Sequence, residues 1–204
     1  MFLENALIPL HKPRSVALYH PQLSYCISQY VEKDPDTLIQ VVRGLVKYWP
    51  WTCASKQVLF LSELEEILEL CRGDQLGVVQ DELFQLLANC IGSSHFQVVE
   101  RTLYLWNSET LMSNVLHITR AASFLPRIFG PLSKCSTGHW NQTVEGLSHS
   151  VMKIYLDGNL ALYDKCSREF SDKSRALEAE RTAAAGKWAS LRQDAVDRGV
   201  ELIK

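Results

Sequence analysis

Hydrophobic positions recur along this chain at intervals of three and four, not two, from its first residues to about Tyr163, which is the period of helices packed on one face. Leu38, Val41, Val42, Leu45 and Trp49 share one side of a helix that follows Asp34 and Pro35, an N-cap and first-turn pair, and stops at Pro50. Ser55 is expected to open the next helix, with Val58, Leu61, Leu64 and Leu68 inward. Gly73 and Gly77 then interrupt the chain before the stripe Val79, Leu83, Leu86, Leu87 and Cys90. An earlier stripe, Tyr19, Leu23, Cys26, Ile27 and Tyr30, predicts a helix starting near His20, because Pro21 suits a first turn. After His139, Trp140, Val144, Leu147, Val151 and Ile154 give the most regular period of all.

Helices of about fifteen residues with short connections suit antiparallel pairs. A Gln stands just inside four of the helix starts, at Gln22, Gln57, Gln97 and Gln142. Their steps of 35, 40 and 45 average close to the roughly 40-residue period of HEAT-type helix pairs. The predicted fold is all-α: a HEAT-like solenoid of antiparallel helix pairs over residues 1–163, then a long C-terminal helix over 164–204. That tail has few large apolar residues, many charges and an Ala run at 183–185. It reads as a solvated helix, frayed near Gly186, and sustains no apolar heptad for a coiled-coil partner.

One stretch, SSHFQVVERTLYLWN at 93–107, mixes polar groups with aromatics. On a helix over 95–106, capped by Ser93 or Ser94 with Gln97 three residues on, Phe96, Val99, Leu103 and Trp106 gather on one side. Val98, Thr102 and Leu105 gather nearly opposite. Gln97, Glu100, Arg101 and Tyr104 form a narrow polar ridge between them. A helix apolar on two faces is sandwiched by neighbours. The i, i+4 pairs Gln97–Arg101 and Glu100–Tyr104 are expected to satisfy each other locally. The stretch holds no nucleophile beside a base, so it is the wet edge of a buried helix.

Composition adds exclusions. The 204 residues are 47% hydrophobic and 22% charged, as in globular chains. A net charge of -2 without a run of Lys or Arg argues against nucleic acid as partner. MFLENALIPL is apolar but carries Glu4 and no cationic leader, and no later window offers eighteen uninterrupted apolar residues, so neither a signal peptide nor a membrane span is expected. Six scattered cysteines without a CxxC pair fit a reducing, intracellular compartment, and the expected location is cytoplasmic, nuclear or both. The acceptor triplet Asn141-Gln142-Thr143 therefore lacks a secretory route.

Fragments resembling the blocks of two-metal phosphoesterases occur: GDQLG at 73–77, GNLA at 158–161 and DAVDRG at 194–199. Leu76 and Leu160 stand where His ligands belong, and the blocks are out of order over about 120 residues. His11, His20, His95, His117, His139 and His149 show no i, i+4 pair and no Cys at metal spacing. There is no Gly-rich phosphate loop and no GxSxG elbow. No catalytic, cofactor-binding or metal-binding residue is predicted, and the chain reads as a non-enzyme.

FLENALIPLHKP (2–13), YHPQLSYC (19–26), GLVKYWP (44–50), VLFLSELEEIL (58–68), SSHFQVVERTLYLWN (93–107) and HWNQTV (139–144) closely resemble the C-terminal part of the B-prime (56-kDa) regulatory subunits of protein phosphatase 2A. The blocks keep that family's order across residues 2–163. The resemblance implies a HEAT-like, non-catalytic subunit that joins the phosphatase catalytic subunit and scaffold subunit and steers dephosphorylation. It marks His11, Lys12 and Pro13, at a bend, and Gln97, Glu100 and Arg101, on the ridge, as candidate protein-interface positions. It also implies that the chain begins inside the family's pattern, without the repeats that hold the pocket for LxxIxE substrate motifs. The tail departs from the family in being richer in Ala.

A solenoid cut between repeats should expose Phe2, Leu3, Leu7 and Leu10 and self-associate through them, an association that Leu7→Glu would abolish. Two other readings are a helical-repeat adaptor in transport or vesicle traffic and a divergent metallophosphoesterase.

Overall fold

The computed structural model describes residues 2–72 and 75–197, and every regular element among them is helical. A wide turn, Leu3–Leu7, leads into tight 3-10 turns at Ile8–His11 and Arg14–Leu18. Nine α-helices follow: α1 His20–Lys33, α2 Leu38–Lys47, α3 Ala54–Glu69, α4 Gln80–Ile91, α5 Phe96–Leu103, α6 Glu109–Asn114, α7 Ala121–Cys135, α8 Gln142–Gly158 and α9 Leu160–Asp197. The chain divides into two compact units that meet at Tyr163 and Asp164.

In the first unit the helices form two layers. The segment Ile8–His11 packs on α2, α2 on α4, and α4 on α7. In the second layer α1 packs on α3, α3 on α5, and α5 on α8. The consecutive pairs α2–α3, α4–α5 and α7–α8 pack across the layers. All four register glutamines lie in the second layer, in α1, α3, α5 and α8, so that faint signal marks the second helix of each pair.

The layers are joined by the predicted stripes. Leu38, Val41, Val42 and Leu45 of α2, Leu61, Leu64 and Leu68 of α3, and Leu83, Leu86, Leu87 and Cys90 of α4 are all buried. Truncating any of these leucines to Ala should cost about 2–5 kcal/mol, the usual loss for a core cavity. Burial also pushes the Cys90 thiol up to about 12. Trp106 donates through Nε1 to the Tyr155 hydroxyl at 2.6 Å, and Tyr155 donates to the Leu116 carbonyl at 3.0 Å. That chain ties the irregular run between α5 and α7 to α8.

Several expectations need correction. The Asn141 Oδ1 accepts from the backbone N–H of Thr143 and Val144 at 3.0 and 3.2 Å, a side-chain N-cap. The helix therefore starts after Trp140, which stays in the turn, 72% exposed. The buried stripe of α8 becomes Val144, Ser148, Val151 and Tyr155. Asp34 caps with its carbonyl alone, which accepts from Thr37 N–H and hydroxyl, so a 3-10 turn precedes α2. At the N-terminal edge Leu3 and Leu7 are buried, while Phe2 and Leu10 are 60% and 43% exposed. Gly44 allows this segment to approach, because a Cβ there would lie 2.5 Å from Ile8 Cγ2.

The second unit belongs to α9, which runs unbroken through Gly186. Ala, Glu, Lys and Arg around the glycine favour helix enough to absorb its cost of about 1 kcal/mol. Residues 73 and 74 of GDQLG and 198 and 199 of DAVDRG lie outside the described residues. Among the described residues no helix is long and apolar enough to cross a membrane.

Candidate functional site

The ridge predicted on α5 forms, but its internal bonding differs from the sequence expectation. Val98, Val99, Thr102 and Leu103 are buried, and Leu105 and Trp106 continue that burial through the 3-10 turn Tyr104–Asn107. His95 takes the N-cap position without a side-chain bond, and the Ser93 hydroxyl accepts only from His95 N–H at 3.2 Å. Neither serine is the cap. Gln97 and Tyr104 face solvent, while Glu100 and Arg101 are half-buried.

With Ser55 and Val58 of α3, these four side chains line a depression of about 380 Å³. The Arg101 Nε donates to Ser62 Oγ at 3.1 Å, and its Nη2 to Glu65 Oε2. Both partners are on α3, more than thirty residues away in sequence. A charge-assisted bond to a carboxylate outcompetes the neutral amide one turn away, so the expected Gln97–Arg101 pair does not form. Gln97 and Glu100 then keep their polar ends free of hydrogen-bond partners among the described residues. Arg101 braces the ridge; Gln97, Glu100 and Tyr104 are what it presents.

The second group of candidates divides in the same way. Lys12 and Pro13 are exposed, but His11 is 1% exposed. Its Nδ1 donates to the Ile8 carbonyl at 2.9 Å, and its Nε2 lies 3.0 Å from both oxygens of Glu63. His20 Nε2 approaches Glu63 Oε2 at 2.9 Å, and the Phe60 ring lies against both imidazoles. Burial alone would push the Glu63 carboxyl up, but the hydrogen bonds from His11 and His20 outweigh it and hold the carboxyl below its ordinary range. A side chain so enclosed has no face to offer a partner. His11 fixes the bend on which Lys12 and Pro13 stand.

Nothing in the sequence pattern announces this His–Glu–His bridge. Its members are 9 and 43 residues apart, so no local spacing links them. Lys56 is a second residue that sequence reasoning misses: its Nζ donates to the carbonyls of His11 at 3.3 Å and Pro13 at 3.1 Å. Gln57, beside it, donates to Pro50 and Trp51 carbonyls at 3.0 Å and holds the α2–α3 turn. Among the described residues no group of three or more His, Cys, Asp or Glu is arranged to hold a metal ion.

Fold and ridge together define a class: a two-layer helical protein whose polar groups brace the helices from within or line an exposed surface. The chain belongs to a specific family within it, the protein phosphatase 2A regulatory B subunits (B56 family), whose model matches residues 1–195. It is 44% identical over 170 residues to the rabbit (Oryctolagus cuniculus) serine/threonine-protein phosphatase 2A 56 kDa regulatory subunit delta isoform, covering 83% of this chain and 29% of that protein. The B' alpha isoform of the Arabidopsis thaliana 57 kDa regulatory subunit is 40% identical over 198 residues, 97% of this chain and 40% of the relative. The Caenorhabditis elegans regulatory subunit pptr-1 is 39% identical over 205 residues, 99% of this chain and 38% of the relative. The chain thus spans well under half the length of these curated relatives.

Proposed function

We propose that this chain serves a protein phosphatase 2A holoenzyme as regulatory material: a non-catalytic piece that binds the catalytic and scaffold subunits and helps direct dephosphorylation, in the cytoplasm or nucleus. The observation that carries the reading is family membership across residues 1–195, which includes the whole α5 ridge. Gln97, Glu100 and Tyr104 supply the contact groups, Arg101 holds them in place, and the turn bearing Lys12 and Pro13 supplies a second contact.

Immobilised chain should recover purified catalytic and scaffold subunits. Replacing Glu100 by Arg together with Tyr104 by Ala should weaken that recovery about tenfold, as expected when an interface anchor is lost. Recovery of transport or vesicle cargo in place of the phosphatase subunits would favour an unrelated helical adaptor. Metal-dependent turnover of a generic phosphoester, lost on Asp197→Ala, would favour a phosphoesterase.

The N-terminal edge supports self-association as well. Phe2 is exposed and stacks on Tyr30 with ring centroids 6.2 Å apart, beside a depression of about 820 Å³ lined in part by Leu7 and Tyr25. Because Leu7 lies beneath that surface, Phe2→Glu is the informative change, where Leu7→Glu would disturb the fold itself. Sedimentation velocity should show dimers dissolving in the Phe2→Glu variant, and a monomer at all concentrations would refute them.

A further inference from the structure

Charge is segregated in the first third of this chain. Residues 5–31 and 37–62 contain no Asp or Glu, yet carry Lys12, Arg14, Arg43, Lys47 and Lys56, in a protein whose net charge is -2. The fold brings three of these cations to one place. Lys12 Nζ lies 4.7 Å from the centre of the Tyr48 ring and Lys47 Nζ lies 5.5 Å from it. Lys56 reaches the same turn from α3 through the His11 and Pro13 carbonyls and lies 5.7 Å from the Phe60 ring. Arg43 is already engaged, loosely, with Glu82 at 3.9 Å. Glu4 shares a small depression with Arg43, Lys47 and Tyr48, and Glu63 is taken up by His11 and His20.

Two ammonium groups gathered around one aromatic ring repel each other, and the ring's quadrupole offsets only part of that. Among the described residues these lysines meet carbonyls and rings, and no ion pair joins any of them to a carboxylate, so solvent ions screen much of their charge. An incoming anion would relieve the repulsion and release those ions. The His11–Glu63–His20 bridge and Gln57 fix the two turns that carry the patch, so the cations are presented on backbone that is already ordered.

We propose that Lys12, Lys47 and Lys56, grouped around Tyr48, dock an acidic segment of a partner protein. The inference rests on the regulatory-subunit reading and gives the chemistry of one contact: a run of Asp or Glu side chains meeting the bend at Lys12 and the α2–α3 turn. Carboxylates on an extended segment can each meet one ammonium while apolar stems cover the Tyr48 ring.

Fluorescence anisotropy of a labelled oligoglutamate peptide against the full chain tests the idea. Binding should be present at low salt, weaken as salt rises, and be absent for the matching oligoglutamine. Lys12→Glu with Lys47→Glu should reduce affinity at least about tenfold, and Tyr48→Leu should reduce it several-fold. Lys134→Glu with Lys153→Glu changes net charge equally at exposed positions elsewhere and should leave binding intact. An equal loss in that control, equal binding of oligoglutamine, or tighter patch-dependent binding of a single-stranded oligonucleotide would overturn the proposal. A chain that recovers phosphatase subunits but ignores oligoglutamate would also overturn it, and would leave the regulatory-subunit reading standing.

Discussion

A carboxylate sealed from water persists only where hydrogen bonds replace the hydration it gave up. Glu63, at 0% exposure, obtains them from His11 and His20, and removing one partner of such a buried set costs about 3–5 kcal/mol. Glu63→Gln should therefore lower stability at neutral pH by about 3 kcal/mol, read from urea unfolding. The sign of the pH dependence follows from the direction of the shift. The folded carboxyl is held below the unfolded value of about 4.3, so its contribution is complete above that value and fades as pH falls through the folded one. The gap between Glu63→Gln and the native chain should narrow on the acid side, below about pH 4. A gap that stays constant from pH 7 to pH 3 would show that the bridge does not stabilise the fold as described.

Helices in this protein are set as much by what they must fit against as by their own preferences. Two glycines on helices separate these effects. Gly44 gains about 1 kcal/mol of helix propensity on becoming Ala, but the new Cβ would meet Ile8 Cγ2 at 2.5 Å. That methyl branches from Cβ and moves only if the whole side chain leaves its rotamer, and Ile8 Cδ1 and Cγ1 are also close, at 3.1 and 3.2 Å. Gly44→Ala should thus lose about 1–3 kcal/mol through overpacking. Gly146 in α8 has nothing within 4 Å of the added carbon, and Gly146→Ala should gain about 0.5–1 kcal/mol. Equal effects at the two sites in a thermal melt would contradict the docking of Ile8 on α2. The same contrast explains what the sequence could reveal. The stripes of α2, α3 and α4 are legible because burial on one face imposes a helical period on the chain itself. Trp140 is misplaced by that period because an aromatic in a turn continues the apolar rhythm while Asn141 starts the helix after it. Arg101's reach to α3 and the bridge at Glu63 are illegible, since both join residues dozens of positions apart. Ridge membership is thus readable from 93–107, but which of its members bond and which stay free is not.

At the scale of the molecule, the first unit holds its own core and the described part of the second is one helix. From residue 171 to 194 every position of α9 is exposed, so that stretch gains little from burial. Deleting residues 171–204 should change the melting temperature of the rest by no more than about 3 °C, a shift worth less than about 1 kcal/mol. A collapse of the melting transition would show that the first unit depends on the second. α9 has 38 residues, about 57 Å of rise, with Lys173, Arg175, Arg181, Lys187 and Arg192 in its exposed part. A lone rod can open locally at almost no cost, and trypsin cuts after Lys and Arg once backbone unwinds. Brief digestion should whittle this end away within minutes and leave a resistant body of roughly 165 residues, so storage and handling of the intact chain will be governed by scissile bonds and not by its core.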